Sequence, residues 1–170
     1  MRIVPKPEAL RLLEQYRRDL TGHGCLPCEL VARASVGSTA LAENEHALVV
    51  LNRFAQRPGH LMVWLKRHQE HVHELEWPAY QALQRLGYEA CRALHSALQP
   101  VRVYSAVLGT AAVVPNSYAH LHIHAIPVFD RDERSRPARV FSWSEGVVIY
   151  EDDEAANLCD TLRAHWPKVG

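Results

Sequence analysis

Apolar positions along the chain repeat with two different periods. In PEALRLLEQYRRDL (7–20), Leu10, Leu13, Tyr16 and Leu20 fall at helical spacing, and Pro7 suits a first turn. A longer helical run starts near Pro78. Leu83, Leu86, Ala90, Leu94 and Leu98 line one face until Pro100 ends it. DEAANLCDTLRAHW (153–166) predicts a closing helix with Ala155, Leu158 and Leu162 inward. Between these runs lie strand-like stretches: ALVVLNR (47–53), HLMVWL (60–65), VRVYSAVL (101–108), AHLHIHAIPVF (119–129) and VVIY (147–150). RPG (57–59) joins the first two as a hairpin-like turn. TGHGCLPCEL (21–30) and GTAAVVPNSY (109–118) have the composition of loops. RDERSRPAR (131–139), charged and proline-containing, is expected to be mobile.

The strands follow one another through short links, which predicts antiparallel pairing. The fold class is therefore α+β, a single domain with an antiparallel sheet, a long helix and terminal helices, not a doubly wound α/β fold. A length of 170 residues suits one domain with a real core. We divide it into an N-terminal helix and loop (1–24), a catalytic core (25–129) and a C-terminal extension packed on the core (130–170). Trp143 and Trp166 in that extension are assigned to packing.

Composition narrows the function classes. Lys+Arg and Asp+Glu both number 19, so the formal net charge is zero and no basic field exists to hold a nucleic-acid backbone. The charged start lacks the apolar stretch of a signal peptide. No run approaches the roughly 18 apolar residues of a membrane span. Four cysteines without an export signal point to reduced thiols and a cytoplasmic protein. The eleven histidines are the anomaly, suited to metal binding or acid–base chemistry near neutral pH.

Three of them stand in HLHIHAIP (120–127). Alternate residues of a strand share a face, so His120, His122 and His124 project to one side at roughly 7 Å intervals. Leu121, Ile123 and Ala125 point to the other, toward a core. A solvated, histidine-rich face would be the plainest account, but β-propensity favours Thr, Val and Tyr at such positions. A single ion shared by all three is disfavoured, because the first and third positions lie too far apart. The remaining reading gives them graded roles. Neutral imidazole is a good nucleophile near pH 7. His122 would attack phosphorus, His124 would hydrogen-bond phosphate oxygens or the leaving group, and His120 would anchor the strand.

HLHIHAIP resembles the His-Φ-His-Φ-His-Φ-Φ signature of the histidine triad (HIT) superfamily of nucleotide hydrolases and transferases. NRFAQRPGHLMVWLKRH (52–68) is similar to the family segment with Asn or Asp, Pro-Gly-His and Lys-x-His. CLPC (25–28) resembles the Cys-x-x-Cys of its zinc-containing members. The resemblance implies a covalent nucleotidyl intermediate on His122, phosphate contact from His124, a fourth active-site histidine at His60 and ribose contact from Asn52. It implies a structural zinc held by Cys25, Cys28, His68 and His120. The Cys-x-x-Cys spacing alone is half a site, and His23, His71 and His73 are further imidazoles nearby. Cys91 and Cys159 sit in helical patterns and fit a core better.

The chain departs from the family pattern just before the triad. In VVPNSYAH, Pro115 and Asn116 stand where Gly-Gln is usual. Asn116 keeps an amide and Ser117 a hydroxyl for a phosphate oxygen. Leu65 replaces a proline. Asn52 followed by Arg53 is more like the dinucleoside-polyphosphate branch than the phosphoramidase branch. The expected activity is thus hydrolysis or transfer at the α-phosphate of a nucleotide, with a dinucleoside polyphosphate-like substrate favoured. Alternatives are a nucleoside phosphoramidase, a zinc-containing nucleotide-binding protein with little turnover, and a zinc-stabilised interaction module. The resemblance also implies a homodimer, with residues 78–98 and 101–108 as its surface, and an AMP-containing nucleotide as partner; charge balance and the lack of a long apolar run argue against a nucleic-acid polymer or a membrane as partner.

Overall fold

Alternate residues of the central strands enter two different cores. The computed structural model describes residues 1–21, 24–34, 40–109 and 118–168. In chain order these form β1 (Arg2–Val4), α1 (Lys6–Thr21), α2 (Leu26–Arg33), β2 (Ala40–Glu43), β3 (Ala47–Leu51), β4 (Leu61–Leu65), α3 (Trp77–Leu98), β5 (Arg102–Leu108), β6 (His122–Val128), α4 (Pro137–Phe141), β7 (Val147–Ile149) and α5 (Asp152–Ala164). Five strands make one antiparallel sheet in the order β2-β3-β4-β6-β5, and β1 pairs with β7 in a separate ribbon. The α+β class and antiparallel pairing stand as expected.

One sheet face carries Val49, Leu51, Leu61, Val63, Ile123 and Ala125. It packs on Leu83, Leu86, Ala90 and Leu94 of α3 and on Cys159 and Leu162 of α5. Gly87 lets α3 come close: a Cβ there would lie 2.9 Å from Ile123 Cδ1. The opposite face carries Leu48, Val50, Met62 and Trp64, with Val31 of α2 and Tyr118 packed against it. Nearby, Phe54 joins α1, Leu26 and Trp143 in a further apolar cluster. In register, Met62 lies opposite His124 and Trp64 opposite His122, so the histidines share this second face.

Three sequence expectations need correction. Residues 26–30 are not loop but the start of α2, whose first turn holds Pro27; a proline there lacks only an N–H that the helix would leave unpaired. Residues 131–139 are not a free segment. Glu133–Ser135 form a 3-10 turn and α4 buries Val140 against Ile126 and Val128. Arg57, itself buried, donates to the Arg134 carbonyl at 2.9 Å, and Tyr104 donates to the Ser135 carbonyl at 2.6 Å. The last histidine strand begins at His122, two residues after His120, whose ring is diverted to other partners. The short strands β1 and β2 went unpredicted, since three or four residues display no period.

Candidate active site and metal centre

The Pro-Gly-His turn brings His60 beneath β6. Gly59 adopts φ +89°, a conformation that suits glycine, and its N–H donates to the Tyr150 hydroxyl at 2.8 Å. Asn52 N–H donates to the His60 carbonyl at 2.9 Å, closing the loop between β3 and β4. His60 Nε2 then lies 2.9 Å from His124 Nδ1, and His124 Nε2 lies 3.0 Å from His122 Nε2. His122 Nδ1 lies 2.7 Å from the His120 carbonyl oxygen. A carbonyl only accepts, so His122 carries its proton on Nδ1 and keeps a lone pair on Nε2. His124 Nε2 is therefore the donor between the two rings.

All three rings are buried, His60 and His122 almost completely. Burial is the main reason their charged forms are disfavoured. It pushes His60 down to about 3, helped by the neighbouring His122. It pushes His122 down to about 4, against the hydrogen bond to the His120 carbonyl. His124 is held well below the ordinary range by burial and by His60 and His122. At neutral pH the set is three uncharged imidazoles, the state in which a ring nitrogen is nucleophilic.

His120 faces away from this row. Its Nε2 donates to the Leu65 carbonyl at 2.7 Å, which leaves the Nδ1 lone pair free to bind. Nδ1 lies 3.4 Å from Cys25 Sγ and 3.5 Å from Cys28 Sγ, and His68 Nδ1 lies 3.4 Å from Cys28 Sγ. Ligand bonds of about 2.0–2.3 Å to a tetrahedral ion place neighbouring donors about 3.3–3.8 Å apart, so these separations match one coordination tetrahedron. All four ligand atoms fall within 4.8 Å of one another, and the group could hold a metal ion. Glu70 approaches the outer nitrogen of His68 at 3.7 Å, the position of a partner that orients a ligating imidazole. Burial and the adjacent Cys25 push the Cys28 thiol up to about 11, since two close thiolates repel without a cation between them. His71 and His73 stack on each other instead.

Beside the histidines lies a cavity of about 490 Å³. Tyr16, Leu30, Val50, Met62, Trp64 and Asn52 are among its lining residues. Trp64 and Tyr118 line it as well as contacting His122, with ring centroids 5.0 and 5.9 Å from that imidazole. Phe141 of the C-terminal extension meets His124 nearly at right angles, with ring centroids 5.6 Å apart.

Asn52 Nδ2 lies 3.0 Å from His60 Nδ1, so the structure joins Asn52, His60, His124 and His122 into one row and gathers Cys25, Cys28, His68 and His120 beside it. Asn116, Ser117 and His23 lie outside the described residues. Sequence reasoning missed the aromatic wall of Trp64, Tyr118 and Phe141. Only Trp64 carried a signal, because it alternates with Met62 and His60 along one strand face.

Residues 33–131 match the HIT domain family. The chain belongs to the HIT family. Among curated relatives, an uncharacterized HIT-like protein of Mycoplasma pneumoniae is 26% identical over 114 residues, 67% of this chain and 78% of that one. Among solved structures, a Zn-bound histidine triad family protein from Mycobacterium smegmatis superposes with a TM-score of 0.62 at 20% identity, over 84% of this chain and 92% of that chain. A hypothetical histidine triad nucleotide-binding protein from Sulfolobus tokodaii gives 0.64 at 19% identity, over 83% and 91%. These structures share the HIT fold with this chain. No helix among the described residues is long and apolar enough to cross a membrane.

Proposed function

We propose that this HIT protein cleaves nucleotides at the α-phosphate through a covalent nucleotidyl intermediate on His122, as a hydrolase or transferase. The observation that carries this reading is the His122 ring, with Nδ1–H held by the His120 carbonyl at 2.7 Å and its Nε2 lone pair beside His124 Nε2 at 3.0 Å. As Nε2 attacks phosphorus, the bond to the leaving oxygen breaks and His124 Nε2–H donates its proton to that oxygen. The ring gains positive charge during attack, and the His120 carbonyl dipole, already in place, stabilises it. Water then attacks the phosphorus, the bond from phosphorus to His122 Nε2 breaks, one proton of the water passes to His124 Nε2, and a nucleoside monophosphate leaves.

The cavity takes the nucleoside: Tyr16, Met62, Trp64 and Tyr118 offer it apolar and aromatic contacts, Arg33, Arg53, Asp152, Asp160 and Arg163 add charge to the wall, and Asn52 offers an amide to the ribose diol. Asn116 and Ser117 are assigned to phosphate binding with His124. The likeness to a nucleotide-binding family member supports this substrate class. We assign zinc to Cys25, Cys28, His68 and His120, a two-thiolate, two-imidazole set, supported by the likeness to a Zn-bound family member. The ion would hold the start of α2 against the segment that leads into β6 and take no part in the reaction. We also place the protein in the cytoplasm as a homodimer. The edge strand β5, with Val107 and Leu108 exposed, and Tyr88 of α3 would form the pairing surface.

Incubation with diadenosine tetraphosphate or an adenosine phosphoramidate should release AMP from wild type and not from His122→Ala. The faster substrate assigns the branch. A second reading, nucleotide binding with little turnover, is favoured by the burial of His122 at 1% exposure. Tight AMP binding without release of AMP from either substrate would establish it. Absence of nucleotide binding would eliminate both.

A further inference from the structure

Trp64 carries a donor that the folded chain does not use. Its Nε1–H is buried and has no hydrogen-bond partner among the described residues. An indole nitrogen only donates, and leaving such a group unpaired in the interior is costly. Phenylalanine would fill a strand position with an aromatic ring and leave no donor unpaired. The indole is suited to an acceptor that arrives from outside the chain. Its position says which one. Trp64 stands directly opposite His122 in the pairing of β4 with β6, on the face that carries the histidines, and the two ring centroids are 5.0 Å apart. Trp64 also lines the cavity. Trp143 is the contrast. Its Nε1 is likewise buried and unpaired, but it packs with Phe54 and Leu26 in an apolar cluster and is absent from the cavity lining.

The N–H groups of the histidine pair are already committed. His122 Nδ1–H is held by the His120 carbonyl, and His124 Nε2–H faces His122 and then serves the leaving oxygen. Neither is left for the non-bridging oxygens of the phosphate, where negative charge is held during attack. A phosphoryl group on His122 Nε2 extends beyond the imidazole by a further P–O bond, which brings a non-bridging oxygen within reach of the neighbouring indole. We propose that Trp64 Nε1–H donates to a non-bridging oxygen of the α-phosphate as phosphorus is attacked and while it is bound to His122. The proposal rests on the nucleotidyl-transfer reading for its substrate and on the unpaired indole for its cause.

The donor and the nucleophile are closed off together. His122 is 1% exposed, and Trp64 Nε1 is shut off from water beside it. Tyr118 meets both rings nearly at right angles, with centroids 5.1 Å from Trp64 and 5.9 Å from His122, and it lines the same cavity. A turn of the Tyr118 side chain would open both at once, so a phosphate that reaches His122 Nε2 also reaches the indole.

The test follows the indole ¹H–¹⁵N resonances of the four tryptophans in the purified protein. Trp77→Phe, Trp143→Phe and Trp166→Phe identify three of them and leave Trp64 by elimination. Saturating AMP should move the Trp64 indole proton downfield, as a new acceptor does, and leave Trp143 in place. Adenosine, which lacks the phosphate, should produce only a minor part of that shift. Trp64→Phe should lower kcat on diadenosine tetraphosphate about 10²-fold, the scale of one lost donor to a charged oxygen, with a much smaller change in KM. A Trp64 indole that stays in place at saturating AMP overturns the proposal, and so does an equal shift with adenosine. A folded Trp64→Phe with kcat within about twofold of wild type also overturns it. If Trp64→Phe does not fold, the wild-type shift decides alone. If wild type binds AMP but turns over no nucleotide, the proposed function fails, while the indole shift still decides whether Trp64 meets the phosphate. Absence of AMP binding removes both.

Discussion

The two faces of β6 are equally buried and are built for opposite ends. Ile123 and Ala125 face α3 and are fully covered, and the close approach at Gly87 leaves no room for an extra methyl without movement. His122 and His124 face the other way, also covered, yet each ring nitrogen meets a polar partner. On the first face burial stabilises the fold through apolar area and contact. On the second it suppresses charge and fixes proton positions. Substitutions one residue apart should therefore fail in different ways.

The largest effect is expected at His122. His122→Gln should lower nucleotide turnover by about 10³-fold or more, as loss of a nucleophile does, while the melting temperature changes modestly. Residual turnover above a tenth of wild type would assign the chemistry elsewhere. Next comes Ile123→Ala, expected to cost about 2–5 kcal/mol in denaturant unfolding through the cavity it leaves. Below its unfolding midpoint it should retain most of kcat. A large kcat loss in a folded Ile123→Ala protein would mean that the α3 face also sets the geometry of the row.

The same contrast separates what was legible in the sequence from what was not. HLHIHAIP announced both faces of β6 because a strict period of two is unambiguous, and the α3 run was equally regular. The metal group was visible as Cys25, Cys28, His68 and His120, but His120 was placed in the strand. Its departure depends on a bend that the alternation cannot encode. The helix around Cys28 was hidden because Cys, Pro and Gly nearby look like a turn, although Pro27 in a first turn was the available clue. The meeting of His60 with His124 depends on the register that sets Met62 opposite His124. A slip of one residue would send His60 to the other face, and sequence alone does not fix that pairing. The hydrogen-bond direction along the row, set by the His120 carbonyl at its end, required coordinates.

Acid should act on one face only. In an unfolded chain an imidazole titrates near 6.5. In the folded protein burial, aided by His122, holds His60 near 3. Above about pH 7 the ring is neutral in both states and contributes no pH dependence. Below that, the unfolded chain takes up a proton that the folded one refuses, so stability falls as pH drops from about 6.5 toward about 3. At about pH 5 the loss from His60 alone is about 2 kcal/mol. His60→Gln should lose that part of the slope in denaturant titrations at neutral and acidic pH, whereas Ile123→Ala should keep all of it. Equal slopes for wild type and His60→Gln would remove His60 from this account.

The smallest expected effect asks whether the histidine face is held from outside the sheet. Helix α2 follows directly on Cys25, carries Cys28 in its first turn, and lines the cavity with Leu26, Leu30 and Arg33. The proposed zinc and the proposed nucleoside therefore bear on one short helix. Without the ion, only weak sulfur hydrogen bonds to His120 and His68 would hold Cys25 and Cys28, and the wall they anchor would be free to shift. Stripping zinc, or Cys28→Ser, should weaken AMP binding about tenfold by calorimetry, a coupling of about 1.4 kcal/mol. Such coupling is reciprocal, so AMP should tighten zinc binding by the same factor in competition with a chromogenic chelator. The α3 face has no comparable anchor in α2, so Ile123→Ala should leave zinc affinity unchanged. AMP affinity that ignores the ion would make α2 a passive wall, with the histidine face held by its own hydrogen bonds alone.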